Sequence, residues 1–126
     1  MHVLLVEDEA LLRETVAGSL IDAGMDVVAA ATAEEALAVM ANDGPPPVVV
    51  TDIDLGAGMD GLTFACKLRS LEPDVRLLLM TGRPQRLAGR PVLAMAERHL
   101  FKPFPVSDLV AAVSEMLRDG MAAQAN

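Results

Sequence analysis

Two short apolar runs in this chain each end in acid: Val3-Leu4-Leu5-Val6 runs directly into Glu7-Asp8, and Val48-Val49-Val50-Thr51 into Asp52. Neither run alternates apolar with polar residues, and the second has three consecutive valines, the pattern of a central parallel strand buried on both faces. A strand of that kind needs helices above and below it, which restricts the chain to alternating strand and helix.

Segments with helical periodicity follow the runs. Leu11, Leu12, Val16, Leu20 and Ile21 predict a first helix stopped by Gly24. Asp26 to Ala31 reads as a second strand, and Thr32 with Glu35 has the spacing of a capping box opening a helix to about Asn42, ended by Gly44 and Pro45-Pro46-Pro47. A loop rich in Gly and Asp, Asp54 to Gly61, leads to a helix from Leu62 to Leu71. Glu72-Pro73-Asp74 then turns the chain into a strand from Val75 to Met80, closed by Thr81-Gly82. Between Arg83 and Arg98, Gly89 and Pro91 oppose a long helix and predict a loop with a short one. His99 to Phe101 is a last short strand, and Ser107 is placed to cap a helix bearing Val110, Val113, Met116 and Leu117. Gly120 marks the end of that helix and of a single domain over residues 1–120, leaving 121–126 as a flexible C-terminal tail.

Composition narrows the function. At 126 residues, 52% of them hydrophobic, the chain has material for one ordinary domain with no appended module. A net charge of −8 disfavours direct nucleic-acid binding, and with no Trp, no Tyr and three Phe there is no platform on which bases could stack. No apolar run approaches membrane-spanning length, so a soluble, cytoplasmic protein without membrane contact is expected. The lone Cys66 is expected as a buried small hydrophobe, His2 as a structural residue, and the two histidines do not suggest zinc. Met95 and Met116 are expected as core filler. Arg83, Arg86, Arg90 and Arg98 concentrate positive charge on an acidic chain, either as a solvated loop or as a dock for an acidic surface.

Right-handed crossovers would bring the strands into one parallel sheet, whose ligands bind at the strands' carboxyl ends near the switch in strand order. Glu7, Asp8, Asp52, Thr81 and Lys102 all fall there. Clustered carboxylates repel one another unless a hard cation such as Mg2+ lies among them, and a hydroxyl and an ammonium complete a set suited to phosphoryl chemistry.

The acidic pair after the first strand, Asp after the third, Thr-Gly after the fourth and Phe101-Lys102-Pro103-Phe104 after the fifth resemble the receiver domains of two-component response regulators, from Val3 to about Leu117. The resemblance implies a flavodoxin-like (βα)5 fold: a doubly wound, five-stranded parallel sheet with helices on both faces, here with a short or irregular fourth helix. It implies that Asp52 accepts a phosphoryl group from the phosphohistidine of a kinase or phosphotransfer protein. Mg2+ would be bound by Asp8, Asp52 and the Asp54 backbone carbonyl, with Glu7 acting through water. Thr81, Lys102 and the backbone amides of Ile53 and Gly82 would contact the phosphoryl group, and the Lys102-Pro103 bond would be cis. The product would be a switch in protein contacts, catalysing only its own phosphorylation and dephosphorylation, with an unidentified downstream target; a homodimer through the last helices and strand is within the family's habits.

Several positions depart from the family pattern. Loop length does not separate Asp52 from Asp54 as the acceptor; Asp52 is favoured because it follows the apolar strand directly and places Leu55 at the family's large apolar position. Gly56 replaces a usual proline, and Gly58 adds further freedom to the loop. His99 stands at the switch position often held by an aromatic residue, so that mechanism does not carry over; a polar ring at the edge of the sheet is the plainer expectation, a pH-sensitive one the sharper. Two other readings compete: a haloacid dehalogenase-type phosphohydrolase, from the Asp52-Ile53-Asp54 spacing, and a degenerate receiver that binds partners without phosphorylation.

Overall fold

The computed structural model describes residues 1–56, 58–87 and 96–125. Five strands form one parallel sheet: β1 (Val3–Val6), β2 (Val27–Ala30), β3 (Val48–Asp52), β4 (Arg76–Thr81) and β5 (Arg98–Phe101), in the order β2-β1-β3-β4-β5. The order reverses between β1 and β3, which places a crevice at their carboxyl ends.

The helices between them are α1 (Ala10–Asp22), α2 (Ala33–Asp43) and α3 (Gly61–Leu71), with α4 (Val106–Ala125) after β5. The α2 cap forms as its spacing predicts: Thr32 Oγ1 accepts from the Glu35 amide at 3.1 Å, and Glu35 Oε2 accepts from the Ala31 amide at 2.9 Å. At the end of α1 the Met25 amide donates to Leu20 O and the Gly24 amide to Ile21 O, a Schellman ending that buries Met25 beside Leu20.

Successive strand residues alternate between two cores although their chemistry does not change. Leu4, Val6, Val49, Leu77 and Leu79 pack with α2 and α3 around the fully buried Phe64. Val3, Leu5, Val48, Val50, Leu78 and Met80 pack with Val16 and Leu20 of α1 and with Leu109, Ala112, Val113 and Met116 of α4. Full burial of such side chains stabilises by roughly 1.5–3 kcal/mol each, so the site-bearing strands sit in the most firmly held part of the molecule.

Several details differ from the sequence-based expectation. Leu11 and Ile21 of α1 are 72% and 54% exposed, and Cys66, expected inside, lies exposed on α3. Ser107 lies inside α4 instead of capping it, and Leu109 and Ala112 take the core places given to Val110 and Leu117, which are only half-buried. The helix also passes Gly120 and holds helical backbone to Ala125, so the tail expected over 121–126 is helical in its described part. A mid-helix glycine costs only about 1 kcal/mol, and the Ala-rich segment after it favours helix. Pro84–Leu87 form a 3-10 turn, while the rest of the short helix expected between Arg83 and Arg98 falls largely outside the described residues, as do Arg90 and Met95.

Candidate phosphorylation site

The register Val6↔Thr51 and Asp52↔Met80 aligns the carboxyl ends of β1, β3 and β4, so the residues that follow them face one crevice. Glu7 and Asp52 are 1% and 2% exposed, whereas Asp8 is exposed. Carboxylate oxygens of Glu7, Asp8 and Asp52 lie within 4.8 Å of one another. Lys102, just beyond β5, reaches in from the other side, its Nζ 2.6 Å from Asp52 Oδ2 and 3.3 Å from Glu7 Oε2. Its backbone amide donates to Thr81 O at 2.7 Å, and the Lys102-Pro103 bond is cis, as expected.

Charge in the cluster is unbalanced. Burial, and then the repulsion of Asp52, pushes the Glu7 carboxyl up to about 7, with Lys102 only partly opposing the shift. Burial works against the Lys102 ammonium, but its hydrogen bonds and ion pairs with Asp52 and Glu7 outweigh that and raise its pKa. Three carboxylates facing one ammonium form an all-oxygen donor set with surplus negative charge, which fits a hard divalent cation.

Thr81 is fully buried; its Oγ1 accepts from the Arg83 amide at 2.8 Å and donates to Asp54 Oδ2 at 3.4 Å. Asp54 Oδ1 accepts from the Arg83 guanidinium at 2.8 Å, so Asp54 is drawn towards β4 while Asp52 stays inside the cluster. Gly82 is exposed, and a Cβ there would meet only Lys102 Cβ, at an ordinary 3.8 Å. Gly61 is different: a Cβ would come within 2.0 Å of Asp52 O, because the start of α3 packs on the backbone of β3's last residue.

One expectation needs correction. The Ile53 amide, expected to face the phosphoryl group, donates instead to Met80 O at 3.0 Å, because the β3–β4 ladder continues one residue past β3. The amide directed at the acidic cluster is that of Asp54, which donates to Asp52 Oδ1 at 2.8 Å; a strand-end Asp bonding the amide two residues on is a recognisable turn signal. His99 stands on the edge strand β5, half-buried, with its Nε2 buried and without a hydrogen-bond partner among the described residues. As expected, His2 is structural, its Nδ1 accepting from the Asp26 amide at 2.9 Å.

Sequence reasoning missed Arg13, whose guanidinium donates to Glu7 O at 3.0 Å and Asp8 O at 3.5 Å and so braces the loop carrying the acidic pair. The signal was its place in the first turns of α1, next to that loop. Among the described residues, Arg83 is tied to Asp54 and Arg98 to Glu115, the latter at 2.6 Å.

A family model described as "Response regulator receiver domain" matches residues 3–114. The chain is 34% identical over 127 residues to the transcriptional regulatory protein PhoP of Escherichia coli O157:H7, covering 98% of this chain and 56% of that protein. It is 35% identical to the response regulator MprA of Mycolicibacterium vanbaalenii, covering 94% of this chain and 51% of that protein. The chain thus spans about half the length of the curated relatives it matches. Among solved structures, the receiver domain of NtrX from Brucella abortus superposes with a TM-score of 0.83 at 27% identity, covering 92% of this chain and 98% of that one. These matches support the phosphorelay reading and not the phosphohydrolase alternative.

Proposed function

Because the chain belongs to the response regulator receiver family, we propose that Asp52 is its phosphoacceptor and that Mg2+ is its cofactor. The observation carrying this reading is the position of Asp52: almost fully buried at the end of β3, 2.6 Å from an ammonium and within a carboxylate cluster. Asp54 lies outside that cluster, held by Arg83 and Thr81.

In the reaction, an Asp52 carboxylate oxygen attacks the phosphorus of a phosphohistidine on a partner kinase or phosphotransfer protein. A phosphorus–oxygen bond forms as the phosphorus–nitrogen bond breaks, and the departing imidazole takes up a proton. Asp8, Asp52 and the Asp54 carbonyl would hold Mg2+, with Glu7 acting through a water; bound there, the cation supplies charge neutralisation to the phosphoryl oxygens. Lys102 is already at the carboxylate and pairs with a phosphoryl oxygen, Thr81 exchanges its contact with Asp54 for one with the phosphoryl group, and the amides of Asp54 and Gly82 offer further donors.

Phosphorylation then shifts the balance between two conformations around Thr81 and His99. A buried unpartnered nitrogen costs about 1–3 kcal/mol, so the His99 ring gains from any arrangement that satisfies its Nε2. The protein acts as a switch that catalyses its own phosphorylation and dephosphorylation and turns over no separate substrate. This reading places it in the cytoplasm, and no described helix is long and apolar enough to cross a membrane.

The test is intact-protein mass after incubation with Mg2+ and acetyl phosphate, for the wild type, Asp52→Asn and Asp54→Asn. One phosphoryl adduct, lost in Asp52→Asn and kept in Asp54→Asn, is expected. Loss only in Asp54→Asn would overturn the assignment, and sustained turnover of a small phosphomonoester would indicate a hydrolase.

A further inference from the structure

Two described amides of the loop between β3 and α3 donate to carboxylates from elsewhere in the chain. The Gly56 amide donates to Asp8 Oδ2 at 2.9 Å, and the Met59 amide donates to Glu34 Oε2, also at 2.9 Å. The backbone lies close against both acids: a Cβ at Gly56 would sit 2.9 Å from Asp8 Oδ2, and one at Gly58 2.7 Å from Glu34 Oε2, so either carboxylate would have to shift to admit one. Gly58 also has a φ of +86°, which an L side chain rarely adopts.

The two anchors differ in how firmly they are themselves held. Asp8 is exposed and sits on a loop, so its carboxylate direction depends on the hydrogen bond from Gly56. Glu34 lies in the first turn of α2, whose start is fixed by Thr32 and Glu35 in a reciprocal cap. Glu34 is therefore the firmer of the two anchors, and it holds the same loop that carries the amide orienting Asp8.

Resting on the receiver reading above, we propose that Glu34 is a positioning residue for the metal site: through the Met59 amide it fixes the loop that aims the Asp8 carboxylate at the cation. Groups that orient metal ligands typically change affinity by 10–100-fold when lost. Acting one link further out, Glu34 is assigned the lower end of that range, about tenfold. The plainer role, an acid placed favourably at a helix N-terminus, depends on charge and not on reach.

Two substitutions separate these roles. Glu34→Asp keeps the charge and suits the helix start but withdraws the carboxylate by one methylene; Glu34→Gln keeps the reach and an acceptor oxygen but removes the charge. The measurement is Mg2+ titration of each protein followed by melting temperature, with the Mg2+ dependence of acetyl phosphate labelling as a second readout. Glu34→Asp should bind Mg2+ about tenfold more weakly, with an unchanged melting temperature in EDTA and an unchanged labelling rate at saturating Mg2+. Glu34→Gln should lose no more than about fourfold, the unscreened effect in water of removing one charge roughly 10 Å from a divalent cation. Wild-type affinity in Glu34→Asp, or a loss in Glu34→Gln as large as in Glu34→Asp, would overturn the proposal. A wild type that Mg2+ does not stabilise would overturn the receiver reading itself, and this inference with it.

Discussion

Two acidic sites lie at opposite ends of β4, and they are built on opposite terms. At its amino end, the Glu97 carboxylate accepts from the Leu77 amide at 2.5 Å and from the Arg69 guanidinium at 3.0 and 3.1 Å. Arg69 also donates to Pro73 O and Val75 O, so one anion and one cation close the turn after α3. At the carboxyl end, the Lys102 ammonium pairs with Glu7 and Asp52, and Asp8 completes a cluster of three carboxylates. The structural carboxylate meets a guanidinium of its own, whereas the acids of the crevice outnumber the ammonium beside them, an imbalance typical of functional sites.

The largest expected effect comes from closing the crevice sterically. In Gly61→Ala the new Cβ would collide with Asp52 O at 2.0 Å, so α3 or the end of β3 must move. A loss of about 3 kcal/mol or more in urea unfolding is expected, at the upper end of overpacking costs. A loss below about 0.5 kcal/mol, the range of ordinary surface substitutions, would mean that the two elements are not in contact as described.

Glu7→Gln tests the surplus charge directly. The folded state raises this carboxyl from 4.5 to about 7, so between those values the folded protein binds more protons than the unfolded chain. Stability of the metal-free wild type should therefore fall as pH rises from about 4.5 to 7 and stay low above that, by up to about 3 kcal/mol. Glu7→Gln removes the penalty: in EDTA it should melt above the wild type at pH 8 and level with it at pH 4. Mg2+ should then stabilise the wild type more than the variant. A variant less stable than the wild type at pH 8 would show that the crevice is balanced after all.

At the matched end the sign reverses and the size shrinks. Arg69→Met leaves Glu97 and two carbonyls without the guanidinium and should lower stability by about 2 kcal/mol, equally with and without Mg2+. A loss that Mg2+ changes would tie the two ends together and break the contrast.

The contrast between the two ends also bears on what could be read in advance. The strands and the acids after them were legible because a strand buried on both faces has no choice but to be apolar, and a polar residue at its end stands out. The faces of α1 were not: Leu11 and Ile21 continue an apolar pattern that does not itself say where the core stops, and both are exposed. Lys102 was found through its motif, but the contacts of Glu97 with Leu77 and of Glu34 with Met59 join residues 20 and 25 positions apart, with no local pattern to announce them. The Ile53 amide was misassigned because a ladder that outlasts its strand by one residue leaves no mark in composition.

The exposed Cys66 on α3 has a practical use. It is the chain's single thiol, and with no Trp or Tyr the protein carries almost no intrinsic fluorescence. A thiol-reactive dye would therefore attach at one known place without mutagenesis, on the helix whose first residue rests against Asp52. Events at Asp52 could then be followed as a change in emission on a dark background.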